Sequence, residues 1–289
     1  MSHREVTFGV LSDTHLPKRL RRVPDAVFRV LQGVDLVLHA GDVGDLSVLD
    51  SLSQIAPVIA VHGNDESPES VNALPYRQLI VAAGHRVLLT HGHFTDPIME
   101  TAQRADDNWP TSFERWASVA REHGADVMFY GHSHIPSVTQ VSGVWLINGG
   151  ALASANIATR QAIKTVARVT LRPKQPPQVV HYDLAHPDEP HIPPTDYEAG
   201  FGDFYARYST SILTPELWAQ NSWIRDELIS VAGVEVISDP LLPLAHECWE
   251  GTRDMIGVEE VVTLWKTHPK LPLEIIDKLR THPVFSKYL

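Results

Sequence analysis

The feature that most constrains this chain is a repeated unit in its first half: a strand-length apolar run followed by a polar, glycine-bearing turn. Glu5–Leu11 runs into Ser12-Asp13-Thr14-His15, and Leu36–His39 runs towards Gly41-Asp42. Val58–His62 is followed by Gly63-Asn64-Asp65, Arg86–Thr90 by His91-Gly92-His93, and Val127–Tyr130 by Gly131-His132-Ser133-His134. Short β-branched runs bounded in this way read as strands.

Helical segments are expected between the first three runs, at Asp25–Leu31 and Leu46–Leu52, which gives a βαβαβ opening. Arg77–Ala82 is a further strand. Thr111–His123 places Phe113, Trp116, Val119 and Ala120 at helical spacing, and Gly124 is its stop signal. Val138–Val141, Val144–Ile147, Lys164–Leu171 and Gln178–Asp183 read as antiparallel strands, with turns at Ser142-Gly143 and Pro173–Pro177. Alternation followed by a meander predicts an α/β fold with two packed sheets and outer helices. Residues 1–184 are therefore expected to form a four-layer α/β/β/α sandwich.

Residues 185–194, with Pro187, Pro190, Pro193 and Pro194, read as a stiff, extended connector. Beyond it, Pro215–Ala232, Leu241–Ile256, Val258–Thr267 and Pro272–Arg280 predict a helical appendage over 195–289. Trp218, Trp223, Trp249 and Trp265 are expected to anchor its packing rather than to stack on bases. Such an appendage can cap a cleft or supply a homo-oligomer interface.

The turns carry Asp13, His15, Asp42, Asn64, His91, His132 and His134 as candidate metal ligands. Carboxylate, amide oxygen and imidazole suit hard-to-borderline divalent ions. The set exceeds the needs of one ion and nearly fills two shells if one carboxylate bridges, an arrangement suited to in-line displacement at phosphorus. Ligands in open α/β folds gather at the carboxyl ends of strands, so the turns can converge on one sheet edge. Asp13 and His15 share one face of an extended segment, as do His132 and His134. His39 is placed either to orient a ligand or to sit in the core.

Asp13-Thr14-His15, Gly41-Asp42, Gly63-Asn64, His91-Gly92-His93 and Gly131-His132-Ser133-His134 resemble the calcineurin-like metallophosphoesterase superfamily, in the compact spacing of its small phosphodiesterase branch. The resemblance spans roughly residues 6–183. It implies one ion on Asp13, His15, Asp42 and His134, and a second on Asp42, Asn64, His91 and His132. Asp42 and a water or hydroxide would bridge them. It also implies phosphate-ester hydrolysis with two divalent ions, Mn, Fe, Zn or Ni. Asp42, Asn64 and His91 would then take part in catalysis, the Asn64 amide also meeting a substrate oxygen. His93 has three open roles: contact with the leaving group, replacement of His91 as ligand, or lining of the cleft.

Many relatives carry a histidine directly after the Gly-Asn pair, where it protonates the leaving group; Asp65 stands there in this chain, followed by Glu66. Asp65 can be an acid only with a raised pKa, or else it orients His62 or His91. Monoesters with poor leaving groups need that proton most, so diesters or activated esters are the expected substrates.

A net charge of −11 argues against long duplex nucleic acid as a routine partner. Bound metal reverses the sign locally, which leaves a small phosphorylated substrate compatible. The run Lys18-Arg19-Leu20-Arg21-Arg22 reads as a solvated loop or as a contact for phosphate or a nucleic-acid strand. No apolar run approaches the roughly 18–20 residues of a membrane span, and the stretch from Met1 to Val6 lacks a secretory h-region. Cys248 is the only cysteine, so no intramolecular disulfide can form and a cytoplasmic location is expected. The alternatives are a phosphomonoesterase or nuclease using the same site, and a non-catalytic metal-binding scaffold. Scaffolds tend to lose ligand positions, and here none is lost.

Overall fold

The computed structural model describes residues 5–289. Met1–Arg4, part of the stretch that lacks a secretory h-region, lie outside the described residues. In chain order the first elements are β1 (Val6–Leu11), α1 (Asp25–Leu31), β2 (Leu36–Ala40), α2 (Ser47–Leu52), β3 (Val58–Val61) and α3 (Pro68–Ala73). Next come β4 (Arg77–Ala82), β5 (His85–Thr90), α4 (Pro97–Ala105), α5 (Trp109–Glu122) and β6 (Val127–Tyr130). The strands β7 (Ser137–Val141), β8 (Val144–Asn148), β9 (Thr159–Gln161), β10 (Thr165–Leu171), β11 (Gln178–Asp183) and β12 (Pro190–His191) follow.

Of the two larger sheets, one has the order β12-β11-β10-β1-β2-β3 and the other β4-β5-β6-β8-β7. β1, β2 and β3 are parallel neighbours, as are β5, β6 and β8. Phe8, Val10, Leu38 and Val61 of the first sheet are buried with Val87, Leu89, Phe129 and Ile147 of the second. Leu31, Val48 and Leu52 of α1 and α2 cover the outer face of the first sheet with Leu11 and Val37. Phe113, Trp116 and Ala120 of α5 cover the other outer face with Leu88, Met128 and Leu146. This is the expected four-layer α/β/β/α sandwich. Strands buried on both faces read as continuous apolar runs, which is why they were legible.

α3 and α4 were not anticipated, although both begin with a polar N-cap followed by proline, Ser67-Pro68 and Asp96-Pro97. The proline-rich stretch, expected to be extended throughout, instead turns tightly over 185–189, where the His186 N–H donates to the Asp183 carbonyl and the Glu189 N–H to the His186 carbonyl. Only then does Pro190–His191 pair with β11 as an edge strand, a position where proline's missing N–H costs nothing.

The chain divides into two compact units, the first running through Ser154 with Gln161–Tyr208 and the second Ala155–Arg160 with Ser209–Leu289. Residues 195–208, expected in the appendage, belong to the first unit: the rings of Tyr197, Phe201 and Phe204 pack at an angle against Trp109. The second unit is helical and has its own core around Leu228, Ile237, Trp265, Leu279 and Phe285. Leu241–Ile256 was expected as one helix, but the helix stops at Glu250 because Gly251 turns left-handed at φ 79°. No single helix among the described residues is long and apolar enough to cross a membrane.

Candidate metal centre

Asp13, His15, Asp42, His132 and His134 all take left-handed backbone conformations, with φ of 55°, 46°, 53°, 66° and 59°. Each such non-glycine residue costs on the order of 1 kcal/mol, and strain concentrated at one place is a mark of a functional site. The backbone turns sharply where each strand ends, aiming side chains back over the sheet edge. Gly63 and Gly131 are needed for close approach: a Cβ on Gly63 would meet Asp42, and one on Gly131 would meet Ser12.

Both carboxylates are buried and held by one oxygen, leaving the other aimed inwards. Asp13 Oδ2 accepts from Ser12 Oγ at 2.5 Å and from the His132 N–H at 3.2 Å. Its Oδ1 lies 3.1 Å from His134 Nε2, 3.8 Å from His15 Nε2 and 4.0 Å from His91 Nε2. Asp42 Oδ1 accepts from the Asp65 N–H at 2.8 Å, while Oδ2 lies 3.4 Å from His15 Nε2 and 3.3 Å from His91 Nε2. The imidazoles follow the same rule. His91 Nδ1 donates to the Ala40 carbonyl at 2.7 Å and His134 Nδ1 to the Ala153 carbonyl at 3.0 Å, so both Nε2 atoms face the centre.

Burial opposes charge on Asp13, but the imidazoles of His134 and His91 hold its carboxyl well below the usual range. Burial likewise opposes charge on Asp42, and His91 and His15 outweigh it in the same direction. For His91, burial is outweighed by Asp42, Asp13 and the Ala40 carbonyl, and its pKa rises to about 9. Burial pushes His15 down to about 3 against the pull of Asp42.

Two groups of donor atoms are close enough to hold an ion, Asp13–His15–His134 and Asp13–Asp42–His91. Asp13 is common to both, whereas Asp42 was the expected bridge; yet Asp42 Oδ2 touches one imidazole of each expected shell, His15 and His91. Asp13 Oδ1 and His91 Nε2 are buried without a hydrogen-bond partner. A carboxylate oxygen and an imidazole nitrogen left so would be costly, and a divalent ion is the group that satisfies both. The residues therefore fit a metal.

The rest of the expected second shell is arranged differently. Asn64 is exposed at the turn after β3. His132 stacks edge-on to His91 at 5.0 Å, but its Nε2 faces Glu100 Oε1 of α4 at 3.0 Å. Burial lowers the His132 pKa, and Glu100 opposes that. Glu100 also accepts from the Phe94 N–H at 2.9 Å; sequence reasoning missed it because nothing local marks a glutamate on an unanticipated helix.

His93 is buried beside His91, its carbonyl accepts from the Tyr76 hydroxyl, and its Nδ1 has no partner. Burial, with His91 and His132, pushes its pKa to about 3. Asp65 orients neither His62 nor His91: its carboxylate pairs with Arg19 and lies 3.5 Å from His15 Nδ1. Thr14 donates to the Val43 carbonyl at 2.8 Å, so the buried His39 donates to Thr14 through Nε2 at 3.1 Å. His39 thus steadies the first ligand turn. Glu66 clamps two turns together, accepting from the Val43 N–H at 2.8 Å, the Gly44 N–H at 2.7 Å and the Gly63 N–H at 3.1 Å.

Residues 6–174 match the calcineurin-like phosphoesterase superfamily domain. A probable metallophosphoesterase of Methanothermobacter thermautotrophicus is 34% identical over 142 residues, covering 49% of this chain and 74% of that protein. Another from Methanocaldococcus jannaschii is 31% identical over 166 residues, covering 57% and 76%. Among solved structures, a single mutant of Vps29 from Entamoeba histolytica superposes with a TM-score of 0.50 at 18% identity, covering 65% of this chain and 99% of that one. That likeness concerns the fold alone. With the domain match spanning more than half its length and the buried carboxylates and imidazoles in place, this chain belongs to the calcineurin-like phosphoesterase superfamily and is a metal-dependent phosphoesterase.

Proposed function

We propose that the protein hydrolyses phosphodiesters of small molecules at a dinuclear centre. The observation that carries this reading is the pair of buried, singly tethered carboxylates, Asp13 and Asp42, whose inward oxygens are shared among His15, His91 and His134. Asp13, His15, Asp42 and His134 would hold one ion, and Asp42 and His91 a second drawn from Mn, Fe, Zn or Ni, joined by His132 and Asn64 only if His132 leaves Glu100 and Asn64 turns inwards. Ions held there would supply a water of lowered pKa and positive charge against the developing charge on the phosphoryl oxygens.

The protein's own part is orientation. The Ala40 and Ala153 carbonyls fix the tautomers of His91 and His134, and the Asp65 N–H fixes the rotation of Asp42. The diester preference rests on Asp65: its carboxylate is engaged by Arg19 at the position where the family resemblance implies a proton-donating histidine. Leaving groups that depart without a proton are favoured at such a site.

The test is turnover of bis-aryl and mono-aryl phosphates by protein loaded with each ion in turn. Preferential hydrolysis of the diester, lost in Asp42→Asn, is the expected result. Equal turnover by Asp42→Asn would sink the dinuclear reading, and a preference for the monoester would sink the diester assignment.

A further inference from the structure

The basic run after β1 divides in space. Arg22 pairs with Asp25 at the surface, both well exposed. Arg19 turns inwards, its side chain only 13% exposed. Its N–H donates to the His15 carbonyl at 2.8 Å, folding the loop back onto the ligand turn. Nη1 lies 2.8 Å from the Ser154 carbonyl and 3.1 Å from His15 Nε2, and Nη2 pairs with the Asp65 carboxylate. His15 Nε2 is itself 3.4 Å from Asp42 Oδ2. A guanidinium therefore sits one contact away from the carboxylates of the centre.

We infer that Arg19 binds an anionic oxygen of the phosphoester and that Asp65 is its positioning residue. The inference rests on the phosphoesterase reading above. A guanidinium is always charged, and a mostly buried one attracts a phosphate oxygen more strongly than a solvated lysine. Ser154 and Asp65 hold the group from two sides independently of His15. Asp65 is 41% exposed and lines one cavity together with His15, Gly44 and Glu66. The arrangement also gives Asp65 a task that does not involve donating a proton.

The experiment uses the full chain loaded with Mn²⁺ and inorganic phosphate as the probe, with affinity read by calorimetry and metal content by elemental analysis. Removing a charge-assisted contact should weaken binding by about 10- to 100-fold. Arg19→Ala is expected to show that loss with metal content unchanged, and Arg19→Lys a smaller loss. Asp65→Asn should raise KM for a bis-aryl phosphate while leaving kcat nearly unchanged. Wild-type phosphate affinity in Arg19→Ala would overturn the inference, as would loss of metal from Arg19→Lys, the variant that keeps the charge and most of the packing. If the wild-type protein neither binds phosphate nor turns over esters, the phosphoesterase reading itself fails. If it does both while Arg19→Ala binds phosphate normally, only the role of Arg19 fails.

Discussion

His134 Nε2 lies 3.1 Å from Asp13 Oδ1, although Asp13 follows β1 in one sheet and His134 follows β6 in the other. The pair joins the two sheets at the edge where their strands end, and it can meet only if the sheets pack face to face. Its geometry depends on tethers: Ser12 Oγ holds the far oxygen of Asp13, and the Ala153 carbonyl holds the far nitrogen of His134.

Asp13→Asn or His134→Ala should each weaken divalent-ion binding at least ~10-fold, since even groups that only orient ligands have effects of that size. Metal content after exhaustive dialysis is the measurement. A variant retaining wild-type content would remove that residue from the shell.

Gly63→Ala should cut turnover by about 100-fold, the usual consequence of misplacing a reacting group by about 1 Å. The added Cβ would overlap the Asp42 carboxylate and come 2.5 Å from its backbone nitrogen, so Asp42 would have to turn away from His15 and His91. Steady-state kinetics beside a thermal melt separates this from unfolding. Normal kcat in a folded Gly63→Ala protein would contradict it.

Trp116 is buried on α5, packs its ring tilted against Tyr130 at 4.5 Å and donates from Nε1 to the Gly92 carbonyl at 2.9 Å. Trp116→Ala should cost about 3–5 kcal/mol of stability in urea unfolding. Trp116→Phe keeps most of the burial but strands the Gly92 carbonyl, so a loss of about 1–3 kcal/mol is expected. Equal stability of Trp116→Phe and wild type would show that the hydrogen bond contributes nothing.

His181 is buried, with Nε2 donating to the Asn148 carbonyl at 2.7 Å; burial pushes its pKa down to about 4 although that carbonyl pulls the other way. The unfolded chain therefore takes up a proton near pH 6.5 that the folded protein refuses until about pH 4. Stability from this group is complete above pH 6.5 and drains away as pH falls towards 4, by roughly 3 kcal/mol in all. Denaturant midpoints across that window should fall less steeply for His181→Gln, which has no proton to take up. Parallel slopes for the two proteins would rule His181 out as a cause.

The strand ends, the ligand types and their order were legible because each is local: an apolar run, a glycine-bearing turn, a carboxylate or imidazole two residues on. Asp13, His15, Asp42, His91 and His134 accordingly meet in the buried cluster. Helix caps at Ser67-Pro68 and Asp96-Pro97 were equally local signals of two elements that periodicity alone did not bring out.

Tertiary structure decided the partnerships. Arg19 with Asp65, Glu100 with His132, and Trp109 with Tyr197 and Phe204 are each pairs of distant residues on different elements. No spacing along the chain encodes them, because they depend on how two sheets and their covering helices pack. The sequence by itself determined which groups could hold a metal and that they lie at strand ends. Packing decided which oxygen of each carboxylate faces inwards, and that the position after Asn64 carries a carboxylate already bound to an arginine.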